Sequence, residues 1–409
     1  MKVATGGRAR FDLRLALSSR TTVKVTRLVV PCMLAAIIVG ASCRESTGVE
    51  ARFAPRECWY AADTGFARSI PAIVESSVIH ATGSNTLVAR DTATGARRWE
   101  TSVTSGLIRG YEMVVGAGVV VVPLVARTVG VDVTTGTVLW TYTSPDDQGS
   151  PGNVFLATPA ADSTHAYVPA WGASVSAIGL RTGVPRWIWR TPDTASTRAG
   201  TTGVAVAGDT VYAAVWKWLD ATGTVTQQWI VAIDRVSGAE LWREVYTVPI
   251  LQVGVLNAPV VAGRVVVLHL WNGQVFAVDR FTRERLWGTT VPGTGTAVTD
   301  APLVSGDTIF IPEPDRRVTA RRITDGSLLW ERSVAFGPGQ LALAGTRLWV
   351  EAGPYLTALD RSSGRILWSG AIPEKPGVPS WLRSISSMRG TPGGRLFISA
   401  GGGTFCLRE

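Results

Sequence analysis

The apolar positions of this chain fall in short runs that are rich in Val, Ile, Thr and aromatic residues and bounded by Gly, Asp and Ser. Clear examples are DTVYAAV at 209–215, GRVVVLHL at 263–270 and YLTALD at 355–360. Such runs predict strands separated by turns. Beyond the N-terminal segment, no long stretch follows the period of an amphipathic helix. We therefore expect an all-β protein.

A longer pattern lies over these runs, because turns of the form Asp-x-x-x-Gly-x-x-x-Trp recur along the chain. The tryptophans in phase are Trp59, Trp99, Trp140, Trp187, Trp242, Trp287, Trp330 and Trp368. Their spacing of 38–55 residues indicates repeated units, each too small to bury its own apolar face. Three strands are visible in each unit, and the Pro-containing segment after each Trp fits a fourth. Eight such units predict an eight-bladed β-propeller of four-stranded antiparallel blades.

The two chain ends predict how the ring closes. The last unit stops after GTFCLRE at 403–409 without a Trp strand, and RECWYA at 56–61 supplies the missing strand. We expect the N-terminal strand to complete the last blade, which removes exposed sheet edges. Cys58 and Cys406 would then lie on neighbouring strands, where a disulfide could join the chain ends. Two free thiols are the alternative.

The motif resembles the tryptophan-docking repeat of the PQQ-type (quinoprotein) β-propellers over residues 53–409. That superfamily includes quinoprotein alcohol dehydrogenases and the BamB-like lipoproteins of outer-membrane assembly. The resemblance implies that each in-phase Trp packs on the turn of the neighbouring blade. Gly179 and Arg322 replace the motif's Asp, and Arg283 replaces its Gly. We expect altered turns in the third and sixth blades.

The N-terminus reads as a targeting segment. Lys24 and Arg27 precede an apolar stretch at 28–42, which suits a secretory signal better than a spanning helix. VGASC resembles a lipoprotein box with Cys43 as the lipidated residue, although Gly40 departs from the usual Leu. We expect a signal peptide at 1–42, a tether at 43–55 and the propeller at 56–409. A soluble exported protein and an uncleaved anchor are the alternatives.

Charge and motifs exclude several functions. The net charge is +9, but residues 1–42 hold seven Lys/Arg and one Asp, so it gives no reason to expect nucleic-acid binding. No metalloprotease, haem, nucleophile-elbow or phosphate-loop motif occurs. His80, His165 and His269 lie in apolar strand runs and read as structural. We expect no metal and no catalytic residues, and we interpret the repeated aspartates as turn caps. They are Asp91, Asp132, Asp234, Asp279 and Asp360.

Candidate functional residues lie on loops, as is usual for rigid scaffolds. Trp216 and Trp218 alternate on one strand of an elongated hairpin at 215–229 and could form an exposed anchor for a partner. Trp171 and Trp271 end comparable strands and could line the same face. Packing against an adjacent loop is the alternative.

The resemblance implies a monomeric, non-catalytic scaffold. It would be exported and held by a lipid anchor on the periplasmic side of the outer membrane or at the cell surface. Its expected partners are envelope proteins such as a barrel-assembly complex. The competing hypotheses are a propeller that binds PQQ or another small ligand, related to the quinoprotein dehydrogenases, and a surface sensor or carbohydrate-binding module. The absence of a Cys-Cys pair speaks against a complete quinoprotein site.

Overall fold

The computed structural model describes residues 53–63, 69–82, 86–103, 112–124, 127–146, 157–192, 199–219, 225–249, 258–270, 274–290, 301–313, 316–335, 339–376, 378 and 384–409. They all belong to one compact unit, Ala51–Glu409. The predicted signal peptide at 1–42 and the predicted lipidation site, Cys43, lie outside the described residues. Within these residues, no helix is both long and apolar enough to cross a membrane.

The described residues form eight antiparallel sheets of four strands, which we number as blades. Blade 1 contains β2 (Ala72–Val74), β3 (Ser77–Ala81), β4 (Thr86–Asp91) and β5 (Arg97–Ser102); blade 2 contains β6 (Val114–Gly116), β7 (Val119–Leu124), β8 (Arg127–Asp132) and β9 (Val138–Tyr142). Blade 3 contains β10 (Ala160–Ala161), β11 (His165–Ala170), β12 (Ser174–Gly179) and β13 (Pro185–Arg190); blade 4 contains β14 (Ala199–Ala207), β15 (Thr210–Trp218), β16 (Val225–Asp234) and β17 (Glu240–Pro249).

The second half of the ring repeats this order. Blade 5 contains β18 (Val260–Ala262), β19 (Val265–His269), β20 (Gln274–Asp279) and β21 (Arg285–Thr290); blade 6 contains β22 (Leu303–Ser305), β23 (Thr308–Glu313), β24 (Arg317–Arg322) and β25 (Leu328–Ser333). Blade 7 contains β26 (Leu341–Ala344), β27 (Arg347–Ala352), β28 (Tyr355–Asp360) and β29 (Ile366–Ala371); blade 8 contains β30 (Ile385–Gly390), β31 (Arg395–Ala400), β32 (Gly403–Arg408) and β1 (Arg56–Ala62).

The N-terminal strand completes the last blade, as the sequence predicts. β1 pairs antiparallel with β32, and Trp59 stands opposite Cys406. Blade 8 therefore takes three strands from the C-terminus and its outer strand from the N-terminus. The predicted eight-bladed propeller and its closure are confirmed.

Each blade runs outwards from the axis through strands that we call A, B, C and D. Because successive strands alternate in direction, the A–B and C–D turns lie on the same side of the ring, which we call the turn face. β32 is a C strand that ends on this face, and β1 is a D strand that begins there. Both chain ends of the propeller therefore leave from the turn face.

The core lies between adjacent blades and is built mainly from the B and C strands. Between blades 3 and 4, for example, Tyr167 and Val175 pack with Val211 and Val231, and all four are fully buried. Strand D is more exposed, and in β5 only Trp99 is buried. The apolar face of one blade is thus covered only when the next blade is present.

The cysteines do not form the predicted disulfide. Cys58 and Cys406 are free thiols, the alternative that the sequence left open. The pairing register shifts between Glu57 and Trp59, so Cys58 occupies a β-bulge beside Cys406. Burial, followed by hydrogen bonding with Cys58, raises the pKa of the Cys406 thiol. Strand pairing, without a covalent link, closes the ring in this structure.

The turns of blades 3 and 6 correct another expectation, since their backbone is not altered. The Gly183 amide donates to the Gly179 carbonyl at 2.8 Å, and the Gly326 amide to the Arg322 carbonyl at 2.9 Å. The same bond joins Gly136 to Asp132 at 2.9 Å in blade 2. The backbone bond and the glycine define this turn, so it survives loss of the Asp side chain.

Candidate functional site

The in-phase tryptophans join each blade to the next. In six of them the indole Nε1 donates to a carbonyl oxygen in the C–D turn of the following blade. These bonds are Trp59 to Thr92 (3.1 Å), Trp99 to Val133 (2.9 Å), Trp140 to Leu180 (2.7 Å), Trp187 to Arg235 (3.0 Å), Trp287 to Ile323 (2.7 Å) and Trp330 to Arg361 (3.1 Å). Each bond gives a largely buried indole N–H the acceptor that it needs.

The turn glycine lies beneath this indole, and two features of the turn require glycine there. At Gly136, φ is +75°, a conformation that side chains with a Cβ disfavour. A Cβ there would also stand 2.7 Å from Cδ2 of Trp99 and 2.7 Å from the hydroxyl oxygen of Thr101. The motif's Gly and the preceding blade's Trp thus form one contact.

The junction between blades 4 and 5 departs from this pattern. Arg283 occupies the glycine position with φ of +68°. Trp242 is half-buried and packs on Tyr212 of its own blade, with ring centroids 6.0 Å apart. Within the described part of the chain, its indole has no hydrogen bond to the blade 5 turn. This junction lacks the bond found at six others.

The junction between blades 7 and 8 uses a substitute, because the chain is open where the blade 8 C–D turn would be. Phe53, just before β1, packs edge-on against Trp349 at 6.1 Å, and Trp349 meets Trp368 edge-on at 6.2 Å. The Arg347 guanidinium lies 3.9 Å from the Phe53 ring centroid. Phe53 belongs to the predicted tether, so the tether joins the packed propeller earlier than residue 56.

Arginines form a second set of junction contacts that we did not predict from the sequence. They extend from a C–D turn to the A–B turn of the preceding blade. The bonds are Arg181 to the Ala117 carbonyl (3.0 Å), Arg235 to the Asp162 carboxylate (2.8 Å), Arg280 to the Ala207 carbonyl (3.2 Å) and Arg361 to the Ser305 hydroxyl (3.1 Å). The available signal was the Arg that directly follows the turn Asp at 235, 280 and 361.

The turn aspartates are caps. Oδ1 of Asp91 accepts the Ala93 and Thr94 amides, both at 2.9 Å. Hydrogen bonds from Ser362 and Ser363 lower the pKa of Asp360 to about 2. In the described part of the chain, no group of three His, Cys, Asp or Glu is placed to hold a metal ion.

Each of the three histidines lies on the B strand of a blade. His80 Nε2 lies 3.0 Å from Asp63 Oδ2, which also accepts the Thr404 hydroxyl at 3.0 Å, and Arg90 binds the other oxygen. Burial would raise the pKa of Asp63, but bonds and charges of His80 and Arg90 lower it to about 2. This buried cluster links blades 1 and 8. His165 Nδ1 lies 2.8 Å from the Thr164 hydroxyl, and His269 is buried.

The predicted aromatic anchor is wrong for Trp216, which is fully buried. Its ring meets Trp171 edge-on at 5.7 Å, and Trp171 is half-buried and bridges to Gly200 on the inner strand of blade 4. Gly200 leaves room for the indole, since a Cβ would stand 3.1 Å from Nε1 of Trp216. The alternative, packing inside the molecule, holds. The Trp218 side chain and Trp271 lie outside the described residues.

The inner strands surround an axial cavity of about 690 Å³. Small apolar residues and prolines supply most of its described wall, including Ala160, Pro259 and Pro302. Glu112, the single carboxylate of that described wall, forms an ion pair with Arg389. Calcium prefers several oxygen ligands with carboxylates among them. The described wall residues therefore do not fit the calcium-assisted PQQ site of the quinoprotein dehydrogenases.

Eight four-stranded blades, with Trp–Gly contacts at six of their junctions, define a PQQ-type β-propeller. The sequence model of the family named outer membrane protein assembly factor BamB matches residues 51–214 and 174–352. The chain therefore belongs to the BamB family of PQQ-type propellers. No curated protein sequence matches it.

Solved structures show the same fold at low sequence identity. BamB from Moraxella catarrhalis superposes with a TM-score of 0.64 at 16% identity, covering 87% of this chain and 98% of that one. Quinohemoprotein alcohol dehydrogenase from Comamonas testosteroni gives 0.66 at 12% identity, covering 86% and 76%. A europium-containing methanol dehydrogenase gives 0.64 at 13% identity, covering 85% of each chain. At sequence identities this low, structural similarity shows that the fold is shared and does not show that the function is shared.

Proposed function

We propose that this protein is an exported, membrane-tethered propeller that serves as a non-catalytic scaffold in outer-membrane protein assembly. The observation that carries the proposal is the match of the BamB family model over residues 51–352. The residues that define the repeat are also engaged in structural contacts: six indoles bind turn carbonyls, and the turn aspartates cap turns. Recognition then falls to side chains that differ from blade to blade.

The tether in this proposal is lipidated Cys43 followed by a short linker. Phe53 is fixed against blade 7, so ten residue steps separate it from Cys43. An extended chain spans at most about 3.6 Å per residue, which limits this linker to about 36 Å. The turn face at the seam of the ring would stay within that distance of the bilayer.

Two measurements test the scaffold. Mass spectrometry of the mature N-terminus should find a diacylated Cys43, and Cys43→Ser should abolish that mass. Crosslinking in native membranes, followed by purification, should recover barrel-assembly components with the parent protein. Lipidation without any such partner would contradict the scaffold role and favour a surface sensor or carbohydrate-binding module.

A small-ligand function is the second candidate, because the axial cavity is large enough for a cofactor and Arg389 could meet an anionic group. Purified protein mixed with PQQ and Ca²⁺ should show neither tight binding nor dye-linked alcohol oxidation. Binding with turnover, lost in Arg389→Met, would replace the scaffold proposal with a dehydrogenase. An unrelated anion that binds and is lost in the same variant would indicate a ligand sensor.

A further inference from the structure

Blade 5 carries on the turn face a group of side chains unlike those of the other described turns. Phe281, at the tip of its C–D turn, is 65% exposed, the highest fraction among the large apolar side chains of the described residues. The corresponding tip residues of blades 1, 2, 3, 4, 6 and 7 are Ala93, Thr134, Arg181, Val236, Thr324 and Ser362, and none of them is aromatic. A single exposed apolar side chain is ordinary on a protein surface, and Phe281 is set apart by the basic residues beside it.

Three arginines lie on the two blade 5 turns of this face, and with the ring they form what we call the blade 5 patch: Arg264, Arg280, Phe281 and Arg283. The Arg280 guanidinium lies 4.7 Å from the Phe281 ring centroid. Arg264 has a side chain 60% exposed and pairs with Asp279, which is buried. Among the turn residues of the described A–B turns, Arg264 is the one basic residue.

The charge of the patch is only partly balanced. The three arginines stand beside two carboxyl groups of the C–D turn, Asp279 and Glu284. Arg283 is exposed, whereas the Arg285 guanidinium lies 4.3 Å from the Phe276 ring centroid on the neighbouring strand and is not part of the patch. The patch thus presents an apolar ring inside a positive surface, which complements a negatively charged layer with an apolar interior.

Arg283 is in a strained backbone conformation. It holds φ of +68°, whereas glycine takes this conformation at the equivalent position of six other turns. Glycine would be the less strained residue there and would let Trp242 dock as the other indoles do. What Arg283 adds is a charge at the tip of the turn, and strain of this kind points to function.

The position of the patch on the ring gives its orientation. Phe53, from which the N-terminal segment departs, lies at the start of blade 8's outer strand on the turn face. Blade 5 stands three blades away in a ring of eight, nearly opposite, and its patch is on the same face. A flat layer that approaches the chain's N-terminus along this face also meets the patch.

We propose that the blade 5 patch is a second membrane contact that binds anionic phospholipid headgroups and inserts Phe281 at their boundary with the acyl chains. The orientation rests on the proposed tether at Cys43; the lipid contact itself does not. The acyl chains of Cys43 would hold the chain at the bilayer, and a basic surface with an apolar ring adds the electrostatic and apolar contacts by which peripheral proteins bind anionic lipid. The propeller would then lie with its turn face towards the membrane and its opposite face free for proteins.

Vesicle binding tests the patch without the anchor. Residues 51–409 contain every described strand, core cluster and ring-closing pair, so this unit carries its own fold. It should cosediment with vesicles of 70% phosphatidylcholine and 30% phosphatidylglycerol more than with phosphatidylcholine alone, and salt should weaken the binding. Arg283→Gly should lower the partition coefficient about fivefold, which is one basic residue's share at an anionic surface.

Thermal unfolding of the variants separates an effect on lipid binding from an effect on folding. Arg283→Gly relieves the positive φ, so it should bind less while unfolding at the same or a higher temperature. Phe281→Ser should also reduce binding, and Val184→Ser, which changes a 63% exposed residue on the blade 3 turn, should not. Equal binding to neutral and anionic vesicles, or unchanged binding of Arg283→Gly, would overturn the proposal. So would patch variants that keep lipid binding but lose a crosslinked protein.

The two proposals fail separately. If the protein does not bind anionic vesicles but still recovers barrel-assembly components, the membrane contact is refuted and the scaffold role stands. Vesicle binding without those components would leave the membrane contact standing and remove the scaffold role.

Discussion

Replacing Trp140 by Ala tests the indole contact on which the ring depends. Trp140 is 7% exposed, and its Nε1 donates to the Leu180 carbonyl at 2.7 Å. The indole also covers Gly183, where a Cβ would stand 2.7 Å from the Trp140 ring. The variant removes this packing and leaves a carbonyl oxygen of blade 3 without its donor.

The expected loss follows from the area involved. A buried indole removes about 150–250 Å² from water, worth about 4–6 kcal/mol as an upper value at about 25 cal/mol per Å². Core Trp→Ala changes cost about 3–5 kcal/mol, so we expect about 4 kcal/mol for Trp140→Ala. With an unfolding entropy of about 2.1 cal/mol/K per residue over about 360 residues, that loss lowers the Tm by about 5 °C.

Trp242→Ala is the matched control, because that indole belongs to the same repeat but is half-buried and lacks the bond to the next turn. We expect it to cost about 2 kcal/mol and to lower the Tm by about 2–3 °C. Calorimetry and denaturant unfolding of residues 51–409 measure both variants. Equal losses would refute the view that docking onto the next blade's turn, rather than burial of an indole anywhere, stabilises the ring.

Three further predictions concern single contacts. Gly136→Ala should lower the free energy of unfolding by about 3 kcal/mol, because its Cβ would overpack the neighbouring indole. Gly263→Ala should lower it by about 1 kcal/mol, since φ there is +56° but a Cβ would meet no atom within 4 Å; denaturant unfolding compares the two variants. Asp63→Asn should lower the free energy of unfolding by about 2 kcal/mol at neutral pH, because ionised Asp63 has a lower pKa in the folded state than in the unfolded state. In the parent protein this contribution is present above about pH 4 and is lost as the pH falls towards 2, and the variant should lack that dependence. Phe53→Ala should lower the Tm and speed tryptic cleavage at Arg56, since the aromatic contact that holds the start of β1 is lost.

Each of these has an outcome that contradicts it. Similar costs for the two glycine variants would mean that positive φ alone dominates. An unchanged slope of stability between pH 4 and 2 in Asp63→Asn would mean that other carboxyl groups cause the acid sensitivity. Unchanged cleavage in Phe53→Ala would mean that pairing of β1 with β32 suffices to hold the seam.

The sequence by itself determined the fold, because a propeller is made of local units. The phase of Trp99, Trp140 and their equivalents revealed the repeat, and the in-phase Trp strand at 56–61 revealed how the ring closes. Strand runs and turn residues depend on near neighbours in the chain, so their pattern survives in the sequence. The capping role of the turn aspartates was readable for the same reason.

Only the tertiary structure decided which side chains meet across blades. Tryptophan is a residue type common in surface anchors, yet Trp216 is buried because Gly200 of the neighbouring strand leaves room for its ring. The substitution of Phe53 for a missing turn, and the location of the blade 5 patch on the face where the chain begins, depend on residues distant in sequence. A one-dimensional pattern records the period of the repeat, but the contacts between repeats form only when the ring has closed.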